Sequence, residues 1–539
     1  MSNIRSRLAH LNPAATPASE PLPGESMVKN DAGGFVFQVD DWTGLNRFLI
    51  LGVEGGTYYA SERKHVERNV AVVRRCLAAD GVRVVDQIVE VSLSGRAPKQ
   101  EPAIIALALA LKTGDDATRS AAEAAVPKVC RIGTDLFHFA EAVQAFGGWG
   151  RRTRRAFARW YTEQDPTRLA RGVSKFQSRD GWSHRDLLRL CKPSGHARGG
   201  DLDRVLFWAT KGWPGIGDEP PVESDPTRIL WAFERAKRTT DPAEVARLVR
   251  EFALPRECVP SESLNHPEVW DALLHAGNGM PLGALVRNLA KMTSIGLVAP
   301  LSDATRKVVD LLGDAKNIKR SRIHPIAVLT ASRVYARGEG VKGSLRWTPV
   351  PVVVDALDAA FYAAFGNVEP TGKKLLIAVD SSSSMRSPEV ATGISPAMAA
   401  TAMALVHASI EPESHVVTFA TNLKPITLTP RMSLNEALSV ASRGTGEGTD
   451  CSVPMRYATS HKIPVDAFLV LTDNETWQGG HPIVALRQYR EALARPALAV
   501  ASAFASTKCS IFPEHDGGCL NVAGFDASVP SVVADFMRG

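Results

Sequence analysis

Lys373 to Met385, KKLLIAVDSSSSM, changes character at a single residue: the apolar run Leu375 to Val379 leads straight into Asp380 and then into serines. A short apolar run without polar alternation is how a strand covered by helices on both faces of a parallel sheet reads. Asp380, Ser382 and Ser384 fall on alternate positions, and the Ala-rich segment from Ser395 through His407 is helix-prone. A strand that opens into a loop and then a helix is where open α/β sheets hold their ligands. The stretch therefore predicts a doubly wound, Rossmann-like α/β unit with its functional edge at Asp380.

The ligand chemistry follows from the residue types. One carboxylate and two hydroxyls converging from one loop are hard oxygen donors, which suits Mg²⁺ or another hard divalent cation that keeps some of its waters. Further donors must come from elsewhere in the chain. Thr449, in the loop Gly444-Thr445-Gly446-Glu447-Gly448-Thr449-Asp450, is one candidate, with Thr445 as a competitor; Asp473, at the end of the apolar run Ala467 to Leu471, is another. The plainer reading of DSSSS alone is a helix N-cap and turn. A second strand-to-acid junction, LVLTD, and a threonine loop move the balance toward a metal site. The pattern DxSxS, then Thr, then Asp resembles the metal-ion-dependent adhesion site of von Willebrand factor A domains, with Asp380, Ser382, Ser384, Thr449 and Asp473 at its five positions. That resemblance implies a site that accepts an acidic side chain of a partner. Hydrolytic catalysis at Asp380 and Asp473 would need a general base, and none is evident beside them.

The chain has 539 residues, 45% hydrophobic and 22% charged, ordinary for a soluble globular protein with a large core. At about 100 to 200 residues per domain it holds several domain-sized units, or one long repeat array with a domain attached. The most apolar run, Ala103 to Leu111, is far short of the ~20 residues of a membrane span, and the N-terminal stretch lacks a signal-peptide apolar region. These observations, with seven scattered cysteines and no CxxC pair, predict a cytoplasmic protein with reduced thiols, without a disulfide framework or zinc site. Charge is uneven: from residue 371 onward there are 13 Lys+Arg against 15 Asp+Glu, leaving 50 against 42 in residues 1–370. The cationic excess lies in the larger N-terminal part.

Residues 1–26, rich in Pro and Ser, read as a disordered tail. Residues 28–69 carry turn signals around Phe35-Val36-Phe37 and a helical pattern at Leu45 to Leu51. From Glu62 to about Trp347 apolar periodicity predicts helix after helix: His65–Ala79, Val84–Leu93, Glu101–Leu111, Arg119–Val129, Leu136–Phe146, Arg152–Tyr161 and Arg185–Leu190 among them. Helices of this length joined by short loops suggest an α-solenoid of stacked pairs, though without a strict sequence period.

Three basic clusters lie in the helical part. Trp149 to Trp160 includes Arg151, Arg152, Arg154, Arg155 and Arg159; Arg171, Lys175, Arg179, His184, Arg185 and Arg189 follow, interleaved with Phe176 and Trp182; later come Lys316, Lys319, Arg320, Arg322, His324 and Arg333. Any one run reads first as a solvated helix face. Three on one array, opposite an acidic-leaning domain, point to RNA or single strands, whose phosphates pair with the cations and whose bases stack on the aromatics.

Several stretches resemble the Ro 60 kDa family. They are Asn30-Asp31-Ala32-Gly33-Gly34, Phe48 to Gly52, Gly55-Gly56-Thr57-Tyr58-Tyr59, KFQSRDGWSHRDLLRL at Lys175–Leu190, Leu289 to Thr293, Arg322-Ile323-His324-Pro325, Thr449-Asp450-Cys451 and Leu471 to Trp477. The likeness covers nearly the whole chain after the tail. It implies a TROVE module at residues 27–365, a ring of HEAT-like helical repeats, closed by a von Willebrand A-like domain at 371–539. It also implies a non-enzymatic, monomeric ring that binds Y-like small RNA on its outer surface, through Lys175, Arg179 and His184. Single-stranded 3′ ends of misfolded RNAs would enter the central hole. Arg287, Lys291, Lys316, Lys319, Arg320 and Arg322 are further RNA candidates, the group after Lys316 for the cavity; Arg151, Arg152, Arg155 and Arg185 come from the clusters. The resemblance further implies work with an exoribonuclease, polynucleotide phosphorylase in bacterial relatives. Two segments fit no expected role, the tail before Met27 and the glycine-rich Pro193 to Gly200. The competing reading is a Mg²⁺-dependent protein-interaction scaffold without RNA.

Overall fold

The computed structural model describes residues 16–22, 27–29, 35–37, 41–51, 62–94, 100–194, 199–213, 217, 219–277, 279–340, 344–386, 389–391, 393–443, 448–473, 476, 478–504, 511–513, 516–523 and 529–538. From Glu62 to Ala363 its regular structure is almost wholly helical. Proline opens many of the helices, as in Pro166–Lys175, Pro242–Phe252, Pro267–His275, Pro325–Arg337 and Pro351–Ala363. At that position its missing N–H costs no hydrogen bond. Asp115, Ser302 and Asp314 cap others through their side chains, and Asp165 caps Pro166–Lys175 as well. The helix Glu101–Thr113 is buried on nearly every side, from Pro102 to Leu111, as its unbroken apolar composition requires.

The helices expected at His65–Ala79 and Val84–Leu93 lie within Glu62–Ser94 and are parted at Asp80, whose φ of −160° and ψ of 91° are not helical. One local expectation changes, since a short antiparallel hairpin interrupts the helices. After strands β1 (Met27–Lys29) and β2 (Phe35–Phe37), which pair antiparallel, come β3 (Ser178–Arg179) and β4 (Trp182–Ser183). Asp180 and Gly181 between them have φ of +52° and +79°. Positive φ at both central residues is the turn that an Asp-Gly pair supplies.

The C-terminal unit is a six-stranded sheet: β5 (Lys374–Asp380), β6 (Glu413–Phe419), β7 (Leu423–Ile426), β8 (Ala467–Thr472), β9 (Leu498–Ala503) and β10 (Cys519–Ala523). The order is β10-β9-β8-β5-β6-β7, all parallel except the edge strand β7. This is the predicted doubly wound α/β fold. Leu375, Ile377 and Val379 belong to the core that runs on into the helical array, while Leu376 and Ala378 face a second core with Phe468, Met455 and Tyr489. Burial on both faces explains why the strand reads as a continuous apolar run.

The array begins and ends on this unit. Its last turns meet the sheet domain where Leu434 N donates to Tyr362 OH at 2.8 Å and the helix Pro396–Ile410 packs on residues 364–367. At the other end the helix Asp41–Leu51 packs on Glu62–Ser94 and on β10. Both ends of the described array thus contact the sheet domain. The expectation of disorder throughout residues 1–26 is corrected for 16–22. Pro17 bridges Gly480, Ala18 N donates to Gly479 O at 3.2 Å, and His481 Nε2 donates to Glu20 O at 2.9 Å. Leu22 is buried in the second core. A few apolar side chains with a ready groove and free carbonyls order a segment that composition alone marks as polar. Residues 1–15 lie outside those described.

Candidate metal centre and nucleic-acid surface

Asp380 ends β5 and is 1% exposed; Asp473 follows β8 and is 7% exposed. The parallel pairing of β5 with β8 puts the two strand ends side by side. Asp380 Oδ1 accepts from Ser382 N at 2.8 Å, and Oδ2 accepts from Thr472 Oγ1 at 2.7 Å. The hydroxyls of Ser382 and Ser384 lie 3.1 Å apart, the first buried and the second open to solvent. Thr449 is buried, its carbonyl accepting from Gln478 N at 3.2 Å and Thr476 Oγ1 at 3.3 Å. Cys451, two residues on, feels the charges of Asp380, Asp450 and Asp473, which sets the threonine loop beside both acids. Neighbouring Asp450 accepts from Ser452 N and Oγ and from Arg456, and its own N–H binds Ala420 O at the end of β6. Gly479, at φ +71°, lies so close to Asp450 that any side chain there would collide with the carboxyl group.

Burial, and secondarily the charge of Asp473, push the Asp380 carboxyl up to about 7. Arg386 lines the same shallow pocket but makes no ion pair among the described residues. Buried acids facing each other, ringed by hydroxyls, are a donor set that fits a hard divalent cation. Among the described residues no cluster of three or more His, Cys, Asp or Glu exists, so two carboxylates and three hydroxyls are the whole of this candidate set. Residues 444–447, including the competitor Thr445, and 474, 475 and 477 lie outside the described residues.

The predicted RNA residues fall on two stretches of the array. On the first, Arg151 and Arg185 are exposed and unpaired among the described residues, whereas Arg152 binds Asp116 at 2.6 Å and Arg155 forks onto Glu123 at 2.9 and 2.7 Å. Arg179 stands out on the hairpin, 61% exposed and 3.8 Å from Asp180, and Lys175 lies 5.1 Å over the Phe176 ring. On the second, Arg287, Lys316, Lys319 and Arg322 are exposed without an ion pair among the described residues. Lys291 binds Asn265 Oδ1 at 2.8 Å, and Arg320 binds Asn317. Their helices, Leu282–Ser294 and Ala315–Ser321, pack together.

His184 is corrected: it does not lie on the surface. It is 4% exposed, its Nδ1 meets Tyr161 OH at 2.7 Å, and Phe137, Trp160 and Tyr161 surround its ring. Burial lowers its pKa to about 4, so it stays neutral and offers phosphate no charge. It anchors the start of the helix His184–Cys191, while Ser183 and Asp186 form the capping box. Two contributors were not singled out from the sequence. Thr472 buttresses Asp380 from the residue before Asp473, and Lys192 joins the Arg151 group only because its own φ of +46° turns the chain back.

Residues 374–537 match the family described as the Ro60 vWA domain, and residues 28–211 and 247–333 match the TROVE domain. The RNA-binding protein RO60 of Deinococcus radiodurans is 40% identical over 541 residues, covering 99% of this chain and 100% of that one. The RNA-binding protein RO60 of Caenorhabditis elegans is 33% identical over 588 residues, covering 96% and 90%. The crystal structure of the Deinococcus radiodurans RO (RSR) protein superposes with a TM-score of 0.78 at 39% identity, covering 93% of this chain and 99% of that one.

Proposed function

The chain belongs to the Ro60 family, and on that premise we propose that it is a non-enzymatic RNA-binding ring acting in noncoding RNA quality control or decay. Y-like small RNA lies on the outer surface around Lys175, Arg179 and Arg185. Single-stranded 3′ ends of misfolded RNAs enter the central hole, toward the cations after Lys316. The observation that carries this reading is the sorting of charge: exposed arginines and lysines without an ion pair among the described residues collect on the helices, while the sheet edge gathers buried acids. Cations on a rigid helical wall pair with phosphates without sequence preference, and a narrow hole admits one strand but not a duplex. Selection is then for a free end and for shape.

The metal edge has its own role. Asp380, Ser382, Ser384, Thr449 and Asp473 hold Mg²⁺ or a similar cation, which when bound supplies a Lewis-acid position for an acidic side chain of a protein partner. An exoribonuclease, polynucleotide phosphorylase or another, is the partner class, tethered through the small RNA. The ring works as a monomer in the cytoplasm. Support for that compartment comes from the free, buried cysteines 76, 130, 191, 258, 451 and 519, and no described helix is long and apolar enough to cross a membrane.

The test is affinity for a structured RNA with a single-stranded 3′ tail, measured from 50 to 200 mM salt. Binding should weaken by roughly two orders of magnitude or more if about four to six phosphates are neutralised. Protein that purifies free of nucleic acid and shows no affinity for such an RNA at low salt removes the reading, and leaves the scaffold alternative, in which the metal edge recruits protein alone.

A further inference from the structure

The turn Gln478-Gly479-Gly480-His481, between Asp473 and the helix Pro482–Leu493, is held from two sides. On one side is the segment Thr16 to Leu22. Ala18 N donates to Gly479 O at 3.2 Å, Pro17 bridges Gly480, and His481 Nε2 donates to Glu20 O at 2.9 Å. On the other side is the loop that carries Thr449. Gln478 N donates to Thr449 O at 3.2 Å, and Thr476 Oγ1 donates to the same carbonyl while accepting from Cys451 N at 3.4 Å.

The two loops approach so closely that glycine is required in each. A Cβ at Gly448, with φ +93°, would strike the Gln478 side chain, and one at Gly479, with φ +71°, would strike the Asp450 carboxyl. Hydrogen bonds then run in series from the candidate cation ligand to the start of the array. They pass from Thr449 O to Gln478 N, from Gly479 O to Ala18 N, and from Ala18 O to Phe35 N at 2.7 Å. Phe35 opens β2, which lies just ahead of the helix Asp41–Leu51.

A turn with two successive glycines loses much backbone freedom when it is ordered. Donors that must converge, Thr449 and Asp473, lose affinity by the fraction of time the turn between them and the helix spends elsewhere. A tail that only covered apolar surface would need no more than Leu22 in the second core, beside Cys451 and Met455. This one also gives its backbone groups to the turn. We propose that residues 16–22 position the cation edge, so that docking of this segment and binding of a divalent cation at Asp380, Ser382, Ser384, Thr449 and Asp473 strengthen each other. Linkage makes the factor the same in both directions. The inference rests on the cation reading above and adds a regulation to it: the edge binds at full strength only when the segment is seated, and the cation in turn fastens the first end of the array.

The experiment uses the full-length protein. Amide exchange of the peptide 16–22 is followed by mass spectrometry in EDTA and in saturating Mg²⁺. Mg²⁺ should slow that exchange by about fivefold or more, leave the helix Glu101–Thr113 unchanged, and do nothing in Asp380→Ala. Conversely, Leu22→Asp, which sets a carboxylate in the second core, should weaken calorimetric Mg²⁺ binding by about the same factor with the far-UV circular dichroism unchanged. Should Leu22→Asp unfold the sheet domain, Ala18→Pro makes the same test by removing the N–H given to Gly479 O. Mg²⁺ binding with exchange of 16–22 as in EDTA, or undiminished affinity in a folded variant, overturns the coupling and leaves the cation site standing. Slowing spread equally over the whole chain also overturns it, because the cation then only stabilises the fold. No Mg²⁺ binding by the unaltered protein removes the cation reading and the coupling together.

Discussion

At the sheet edge like charges are packed inward, two carboxylates almost out of water and ringed by hydroxyls; on the helical wall like charges point outward into solvent with space between them. The difference sets how each region works. A buried set of donors is cooperative, because removing one leaves the others with unmatched charge in a poorly solvated place. An exposed set is additive and screened, each cation contributing little and losing that in salt. The first should fail abruptly under single substitutions and the second by degrees.

Asp380→Ala tests the first half most severely: calorimetric Mg²⁺ binding should vanish, and retained stoichiometric binding would break the assignment. The next effect is on stability. His184 is buried and His324 largely enclosed, and burial lowers both pKa values to about 4, with a smaller contribution to His324 from His407. A depressed histidine favours the folded state above the unfolded value near 6.5 and loses that advantage as pH falls toward 4. Between pH 7.5 and 5 the loss should be roughly 2 kcal/mol for each histidine. Urea denaturation should show it, and the pH-dependent part should disappear when both are replaced by glutamine. A smaller change, about ten- to a hundredfold in affinity, is expected from Lys175→Glu with Arg179→Glu, read by binding of structured RNA with the thermal melt unchanged; undiminished affinity would contradict that surface. Smallest is Arg152→Ala, whose guanidinium is already occupied by Asp116. It should shift stability by less than about 1 kcal/mol and RNA affinity less than Arg151→Ala does, so equal losses would mean that pairing with acids does not sort the cations.

The same contrast explains what could be read from the chain alone. The candidate metal residues are short-range signals, apolar runs that stop at an acid, so Asp380, Ser382, Ser384 and Asp473 could be proposed from spacing, and the structure places Asp380 and Asp473 at neighbouring strand ends. Thr472 could not, because its value lies in reaching across to the neighbouring strand end. Helix positions in the array were legible from apolar periodicity, but which arginine is free depends on acids some thirty residues away, such as Asp116 and Glu123. His184 shows the limit in sharper form: between Ser183 and Arg185 it reads as part of a polar run, and only the packing of Phe137 and Tyr161 makes it core. The Asp180-Gly181 turn was a signal in plain sight, absorbed into an expectation of helices.

The hydrogen bond from His481 to Glu20 spans 461 positions of sequence. At ~5 to 20 residues per second of synthesis, the loop that receives residues 16–22 follows them by roughly half a minute to a minute and a half. For most of that interval the helical array, up to residue 367, is itself being made, and residues 16–22 wait without the groove that receives them. The segment is thus among the first made and among the last to find its partner, so a chain truncated before residue 479 would leave residues 16–22 undocked.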